Sequence, residues 1–255
     1  MDDFTYRGRD IREFGASAAF GASMSVGLRV ARGGYTLPGG GTILLGRESY
    51  SPTQRSVTII PADGVCADER WRRNLLAWLQ GGMGEMIVHN DPEVMRIVSF
   101  DSDGTSGVRD WPDGALVMTM TLEPLAYDVR MAQVSAATSA GEATLIMPAQ
   151  TGLAAPIRIG LRVTGGTVTA AEIRAGGREL LLSGMRLRSG QLLTYDSGML
   201  LGDPVDLQID GGTTFAPLLE GRWARLFAKQ GEAVTVSLTG GEAMVSLACR
   251  GWWPA

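Results

Sequence analysis

The chain has 255 residues, 45% of them hydrophobic and 20% charged, with a formal net charge of −4. That length accommodates two domains of ordinary size, and the apolar content excludes a disordered chain. An acidic balance with no basic block argues against a partner held by neutralising nucleic-acid phosphates.

The first stretch, "FTYRGRDIREFG", reads as a strand, a turn and a second short piece. "FGASAAFGAS" (14–23) is small and glycine-spaced, which suits a loop or an extended arm. "SVGLRVARGGYTLPGGGTILLGRES" gives two strand-like runs around a glycine-rich centre, hence a hairpin with a flexible tip. "RSVTIIPADG" alternates and is β-branched, so it is predicted as a strand.

One helix is predicted next. Asp68 can cap it, and Asp68 and Glu69 place negative charge at its positive end. Trp71, Leu75, Leu76, Trp78 and Leu79 recur at three- and four-residue spacing and form an apolar stripe. Arg72, Arg73 and Asn74 cover the other face, and Gly81–Gly82 are expected to stop the helix in a left-handed conformation. "EMIVHND" and "VMRIVSF" read as strands joined by "NDPE", and "DSDGTSGVRDWPDG" as a polar loop. "ALVMTMTLEPLAYDV" is a long alternating strand that Pro124 ends or bulges.

Character changes near residue 133. "QVSAATSAGEAT" reads as a linker or a shallow strand. Beyond it, short strands alternate with glycine turns at the spacing of a β-sandwich or jelly roll. A domain boundary is therefore expected there, giving domains 1–133 and 134–255.

Residues that carry chemistry do not converge. Cys66 and Cys249 lie far apart, with neither a disulfide framework nor metal-type spacing, and are expected as isolated reduced thiols in packed positions. His89 is the only histidine and no nucleophile-elbow motif accompanies it. "GTILLGRE" (41–48) is a near miss to a phosphate loop, with arginine for lysine and glutamate for the hydroxyl residue. "GGMGEMI" follows a helix where a dinucleotide loop would open one. "DSDG" (101–104) has its glycine too early for a calcium loop. Asp196 and Asp203 are a carboxylate pair of unknown separation. Trp223, Trp252 and Trp253 suit a core or a subunit contact, with a sugar-stacking platform as the alternative. The expectation is a protein that is not an enzyme and needs no cofactor or metal. "MDDFTYRGRD" lacks the features of a signal peptide, and no apolar run approaches the ~18 residues of a membrane span.

The pattern as a whole resembles the distal tail protein (Dit) family of long-tailed, non-contractile bacteriophages. The family pattern is "G..G..LLG...Y.P", a helix ending "L..WL", "G...L...D.P...Y", and a closing strand with "P.A" before an aromatic. Gly41, Leu44, Leu45, Gly46, Tyr50, Pro52, Leu75, Trp78, Leu79, Asp91, Pro92, Pro124, Ala126 and Tyr127 stand at matching places. Met95–Arg96 departs from it, where an aromatic is common. The match is dense over residues 4–128 and looser beyond, through "GLAAPIRI", "LLTYDS" and "RGWWPA".

The resemblance implies a mainly β fold. Its first domain would be a ring-forming β-sandwich or barrel with one helix and an extended hairpin, its second a galectin-like β-sandwich. It implies a structural virion protein at the tail tip, assembled in the host cytoplasm. There it would form a homohexameric ring, single or back to back, between the tail tube protein and the tail-associated hub or fibre protein, and carry receptor-binding protein in some phages. DNA would only pass through the lumen. Tyr35 and Leu37 in the glycine-tipped arm, and Arg72 and Arg73 on the helix, are candidate contacts to a neighbouring copy or partner. The competing reading is a carbohydrate-binding adhesion module with Trp252 and Trp253 as glycan contacts.

Overall fold

The computed structural model describes residues 3–21, 30–31, 34–36, 42–44, 49–50, 52–101, 115–149, 153–200, 204–213 and 225–254. Contacts divide the chain into two units, Met1–Val129 with Pro254–Ala255, and Arg130–Trp253.

In the first unit, β1 (Phe4–Tyr6) and β2 (Arg9–Asp10) are joined by Arg7–Gly8. Both turn residues have positive φ, 50° and 76°, as a two-residue turn matching the twist of its strands requires. A 3₁₀ turn, Ile11–Phe14, follows, closed by a reciprocal capping box between Asp10 and Glu13. The remaining strands are β3 (Ala16–Phe20), β4 (Val30–Ala31), β5 (Gly34–Thr36), β6 (Thr42–Leu44), β7 (Ser49–Tyr50), β8 (Thr53–Pro61), β9 (Gly84–Val88), β10 (Asp91–Asp101) and β11 (Leu116–Asp128), with helix α1 (Glu69–Leu79) between β8 and β9.

The main sheet is antiparallel and runs β2-β1-β9-β10-β11-β8-β3. One face is apolar: Phe4, Tyr6, Val57, Ile59, Met86, Val98, Phe100, Met118 and Met120 are buried, and Leu75, Trp78 and Leu79 of α1 pack onto them. Alternation from Leu116 to Leu122 of β11 puts every second residue into this core, which is how a period-two sequence pattern becomes a one-sided sheet. The predicted hairpin is present as two nested antiparallel ladders, β4 with β7 and β5 with β6. Neither ladder joins another sheet among the described residues. Its tip, residues 37–41, lies outside the described residues.

Two local expectations are corrected. Helix α1 ends at Leu79 with Gln80, φ −82°, as its C-cap, and of the two glycines only Gly82, φ 99°, is left-handed, one residue beyond the position a glycine cap would take. The turn between β9 and β10 is His89–Asn90, not "NDPE": Asp91 already pairs with Val88. Pro92 sits in the register shift that follows, where a strand tolerates a residue without an N–H. Pro124 bulges β11 without ending it, one of the two outcomes expected for it. The β8 ladder stops at Leu122, and the β10 register jumps across Glu123–Leu125, so the missing N–H falls where no ladder bond is needed.

The second unit contains β12 (Ala132–Ala137), β13 (Glu142–Ile146), β14 (Ala155–Gly165), β15 (Thr167–Val168), β16 (Ala170–Ala175), β17 (Arg178–Leu182), β18 (Leu187–Arg188), β19 (Leu192–Asp196), β20 (Asp206–Ile209), β21 (Gly212–Thr213), β22 (Phe227–Ala228), β23 (Ala233–Thr239) and β24 (Glu242–Cys249). One sheet runs β12-β24-β14-β19-β20-β21 and the other β13-β23-β16-β17. Ile157, Ile159, Leu161, Val245 and Leu247 of the first sheet are buried, as are Leu145, Ile173, Leu180, Val234 and Val236 of the second. Two sheets with apolar inner faces make a sandwich core. "QVSAA", read above as a linker or shallow strand, is a strand with half-buried alternate residues along β24. Gly176–Gly177, φ 55° and 72°, forms the two-residue turn between β16 and β17.

Candidate assembly surfaces

The side chains around α1 build one recognisable surface feature in the first unit. Trp78 is held from three sides: its ring stacks on Phe4 (6.0 Å) and Phe14 (4.5 Å), and its Nε1 donates to the carbonyl of Tyr6 at 3.2 Å. Trp71 Nε1 donates to the carbonyl of Phe14 at 2.6 Å, and Asp68 Oδ1 accepts from Trp71 N at 2.7 Å. The two tryptophans thus clamp the 3₁₀ turn between the helix and the sheet. Burial holds the Tyr6 phenol above its usual pKa, and its hydroxyl donates to the Gly82 carbonyl.

Beside this clamp is a groove of about 680 Å³ lined by Arg7, Arg9, Glu13, Phe14, Asn74, Ala77 and Trp78. Its cations are fixed. Arg7 donates to the carbonyl of Gly81 at 2.6 Å, beyond the helix C-terminus where positive charge is favoured. Its shaft lies across Gly81 and Gly84, where an added Cβ would collide with it. Arg9 lies over the Phe14 ring, 4.4 Å from the centroid, and donates to Glu13 at 2.9 Å. The hydrogen bond from Arg9 holds the Glu13 carboxyl below its usual pKa, and that from Arg12 does the same for Asp10.

Of the candidate contacts, Arg73 is exposed and Arg72 half-buried on α1. Tyr35 is in β5, and Leu37 lies outside the described residues. The glycan expectation is corrected for Trp252. It is 6% exposed, its Nε1 donates to the carbonyl of Met199 at 3.2 Å, and its ring stands edge-on to Phe227 at 6.1 Å. A stacking platform needs an open ring face, and this one is spent in the core. Trp253 is half-buried, and Trp223 lies outside the described residues.

The remaining expectations resolve singly. Cys249 is buried, whereas Cys66 is exposed in the segment before α1 and is corrected from a packed position. His89 Nε2 lies 3.3 Å from Asp10 Oδ2, in a cluster where Arg12 also binds Asp10. Asp196 is bound by Arg158 at 2.7 Å and Asp203 lies outside the described residues, so their separation is not defined. Thr42–Leu44 of the phosphate-loop near miss is β6, and "DSDG" beyond Asp101 lies outside the described residues. No group of three metal-ligating side chains and no helix long and apolar enough to cross a membrane occurs among the described residues.

Two features escaped sequence reasoning. The groove was hidden because "RGRD" and "GGMG" lie far apart in sequence, and only the β1–β9 pairing brings them together. The other is a buried polar knot: Ser197 Oγ donates to Tyr195 Oη at 2.9 Å, and the Leu226 N–H donates to both oxygens. Burial raises the Tyr195 phenol pKa. Tyr195→Phe is expected to cost about 1 kcal/mol in urea unfolding, because Ser197 loses its acceptor while Leu226 keeps one.

No family model and no curated protein sequence matches the chain. Solved structures do. The SPP1 Dit (gp 19.1) protein, described as a paradigm of hub adsorption apparatus in Gram-positive-infecting phages, superposes with a TM-score of 0.67 at 14% identity, covering 98% of this chain and 99% of that one. A chain of the phage P2 baseplate in its activated conformation with Ca gives 0.46 at 10% identity, covering 98% of both. Over its length, this mainly β chain has the fold of the SPP1 Dit protein.

Proposed function

We propose that this chain is a distal-tail hub subunit of a bacteriophage tail tip, a structural virion protein rather than an enzyme. Copies form a homohexameric ring, single or back to back, that joins the tail tube protein to the tail-associated hub or fibre protein and gives receptor-binding protein a place to attach. DNA passes through its lumen. The observation that carries this reading is the match to SPP1 Dit over 98% of this chain and 99% of that one.

Physical chemistry supports it. Two-stranded ladders are marginal alone, and β4–β7 and β5–β6 gain stability only against something else. The motif residues Leu75, Trp78, Leu79, Ala126 and Tyr127 are buried, so this part of the sequence resemblance lies in the core. Sedimentation velocity at tens of micromolar is expected to show a species of six chains or a multiple of it. A monomer across that range, and also when mixed with its tail tube protein, would refute the hub.

A further inference from the structure

Resting on the hub reading for its partner, we infer that the groove beside α1, with the helix stripe that runs into it, docks an acidic segment of another tail protein. Arg70, Arg73, Asn74 and Ala77 are exposed on α1. At about 100° per residue they share a sector of about 100°, so they form one stripe about 10 Å long. Asn74 and Ala77 also line the groove, together with Arg7 and Arg9. Four guanidiniums thus gather with one carboxylate, Glu13, among them, on a chain whose net charge is −4. The acidic residues at the helix start do not offset them. Asp68 is spent in capping Trp71 N, and Glu69 is turned about 100° from Arg70. Arg72, half-buried, falls off the stripe.

The chemistry left over on this surface selects an anion. Glu13 already accepts from Arg9 at 2.9 Å and from the Asp10 N–H at 3.2 Å. The Arg7 guanidinium is used once, at the Gly81 carbonyl, and Arg70 and Arg73 make no ion pair among the described residues. What remains is donors, and a guanidinium fork matches a carboxylate through two parallel N–H···O bonds. Arg7 and Arg9 are held before anything docks, Arg7 by its crossing of Gly81 and Gly84 and Arg9 by the Phe14 ring. Such fixing lowers the entropy cost of binding. The Arg9 side chain, 52% exposed, covers Phe14 with one face of its guanidinium and can stack an aromatic side chain on the other. Nucleic acid is the weaker fit: binding through phosphates needs cations that follow the backbone, and here a carboxylate stands among the arginines.

Fluorescence anisotropy of a fluorescein-labelled (Glu-Glu-Tyr)₄ peptide, titrated with the full-length protein, tests this, with (Gln-Gln-Tyr)₄ and a single-stranded oligothymidylate as comparisons. The acidic peptide is expected to bind and the neutral one not. The double variant Arg70→Glu, Arg73→Glu should bind the acidic peptide about tenfold or more weakly. It should nevertheless unfold in urea no earlier than the wild type, because a carboxylate at position 70 suits the helix N-terminus. Ala77→Trp, at an exposed helix position, fills the groove and should weaken the peptide as well. Wild-type affinity in either variant, or no binding of the acidic peptide, overturns the inference. So does oligothymidylate binding as tightly as the peptide, which would make the surface a phosphate site. Sedimentation of the same samples separates this outcome from the ring. A wild type that assembles but binds no acidic peptide leaves the hub standing without the dock, and a monomeric wild type that binds it supports the dock and counts against the ring. A double variant that no longer assembles, beside a wild type that does, assigns the surface to a second copy and overturns the inference.

Discussion

Trp78→Ala is expected to destabilise the first unit by about 3–5 kcal/mol, the usual range for deleting a buried aromatic. The indole is 8% exposed, stacked between Phe4 and Phe14, and hydrogen-bonded to the Tyr6 carbonyl. Its loss opens a cavity at the junction of helix, 3₁₀ turn and sheet and removes the indole's hydrogen bond to that carbonyl. Differential scanning calorimetry should show the transition of this unit falling by roughly 10–20 °C. Trp71→Ala serves as the comparison. Its ring is half-buried at the edge of the core, so it should cost less than half as much. Equal losses would mean that the two tryptophans share the load and that the stripe is not centred on Trp78.

Asp91→Ala is expected to cost about 2 kcal/mol, whereas Arg96→Met should be neutral or stabilising. The Arg96 side chain is only 8% exposed and reaches Asp91 at 3.0 Å, while its Nε and Nη1 are buried without a hydrogen-bond partner. Removing the carboxylate strands a buried guanidinium. Removing the guanidinium relieves its desolvation and leaves Asp91, which is 43% exposed, to water. That exposure keeps the figure for Asp91→Ala below the 3–5 kcal/mol of a fully buried pair. Urea unfolding of both variants checks the sign. A large loss from Arg96→Met would mean that the ion pair itself holds the β9–β10 register shift. The same position is where the sequence departs from the Dit pattern. An arginine paired to Asp91 stands there in place of an aromatic.

Much of the fold was legible because its signals are local. The helix was readable from Asp68, the Leu75–Trp78–Leu79 spacing and the glycines behind it, and β11 from its strict alternation. The hairpin followed from the glycine-rich centre between two strand-like runs. Errors came where tertiary pairing overrode a local cue. "NDPE" has turn chemistry, yet Asp91 is drawn into the ladder with Val88, and the irregularity is absorbed as a bulge. Pro124 left a strand end and a bulge both open, and the ladders on both sides, which skip it, decide for the bulge. Trp252 could be assigned to core or ligand only once Met199 and Phe227, distant in sequence, were placed around it. The groove was illegible for the same reason. Arg7 is aimed by Gly81 and Gly84, more than seventy residues away, and no period or motif in the sequence encodes that crossing.

The central claim is that this chain builds a ring. Negative-stain electron microscopy of the purified full-length protein, with its tail tube protein added in a parallel grid, measures this most directly. Class averages are expected to show sixfold particles with a central hole. Compact particles of one chain on both grids, with no rotational symmetry, would contradict it.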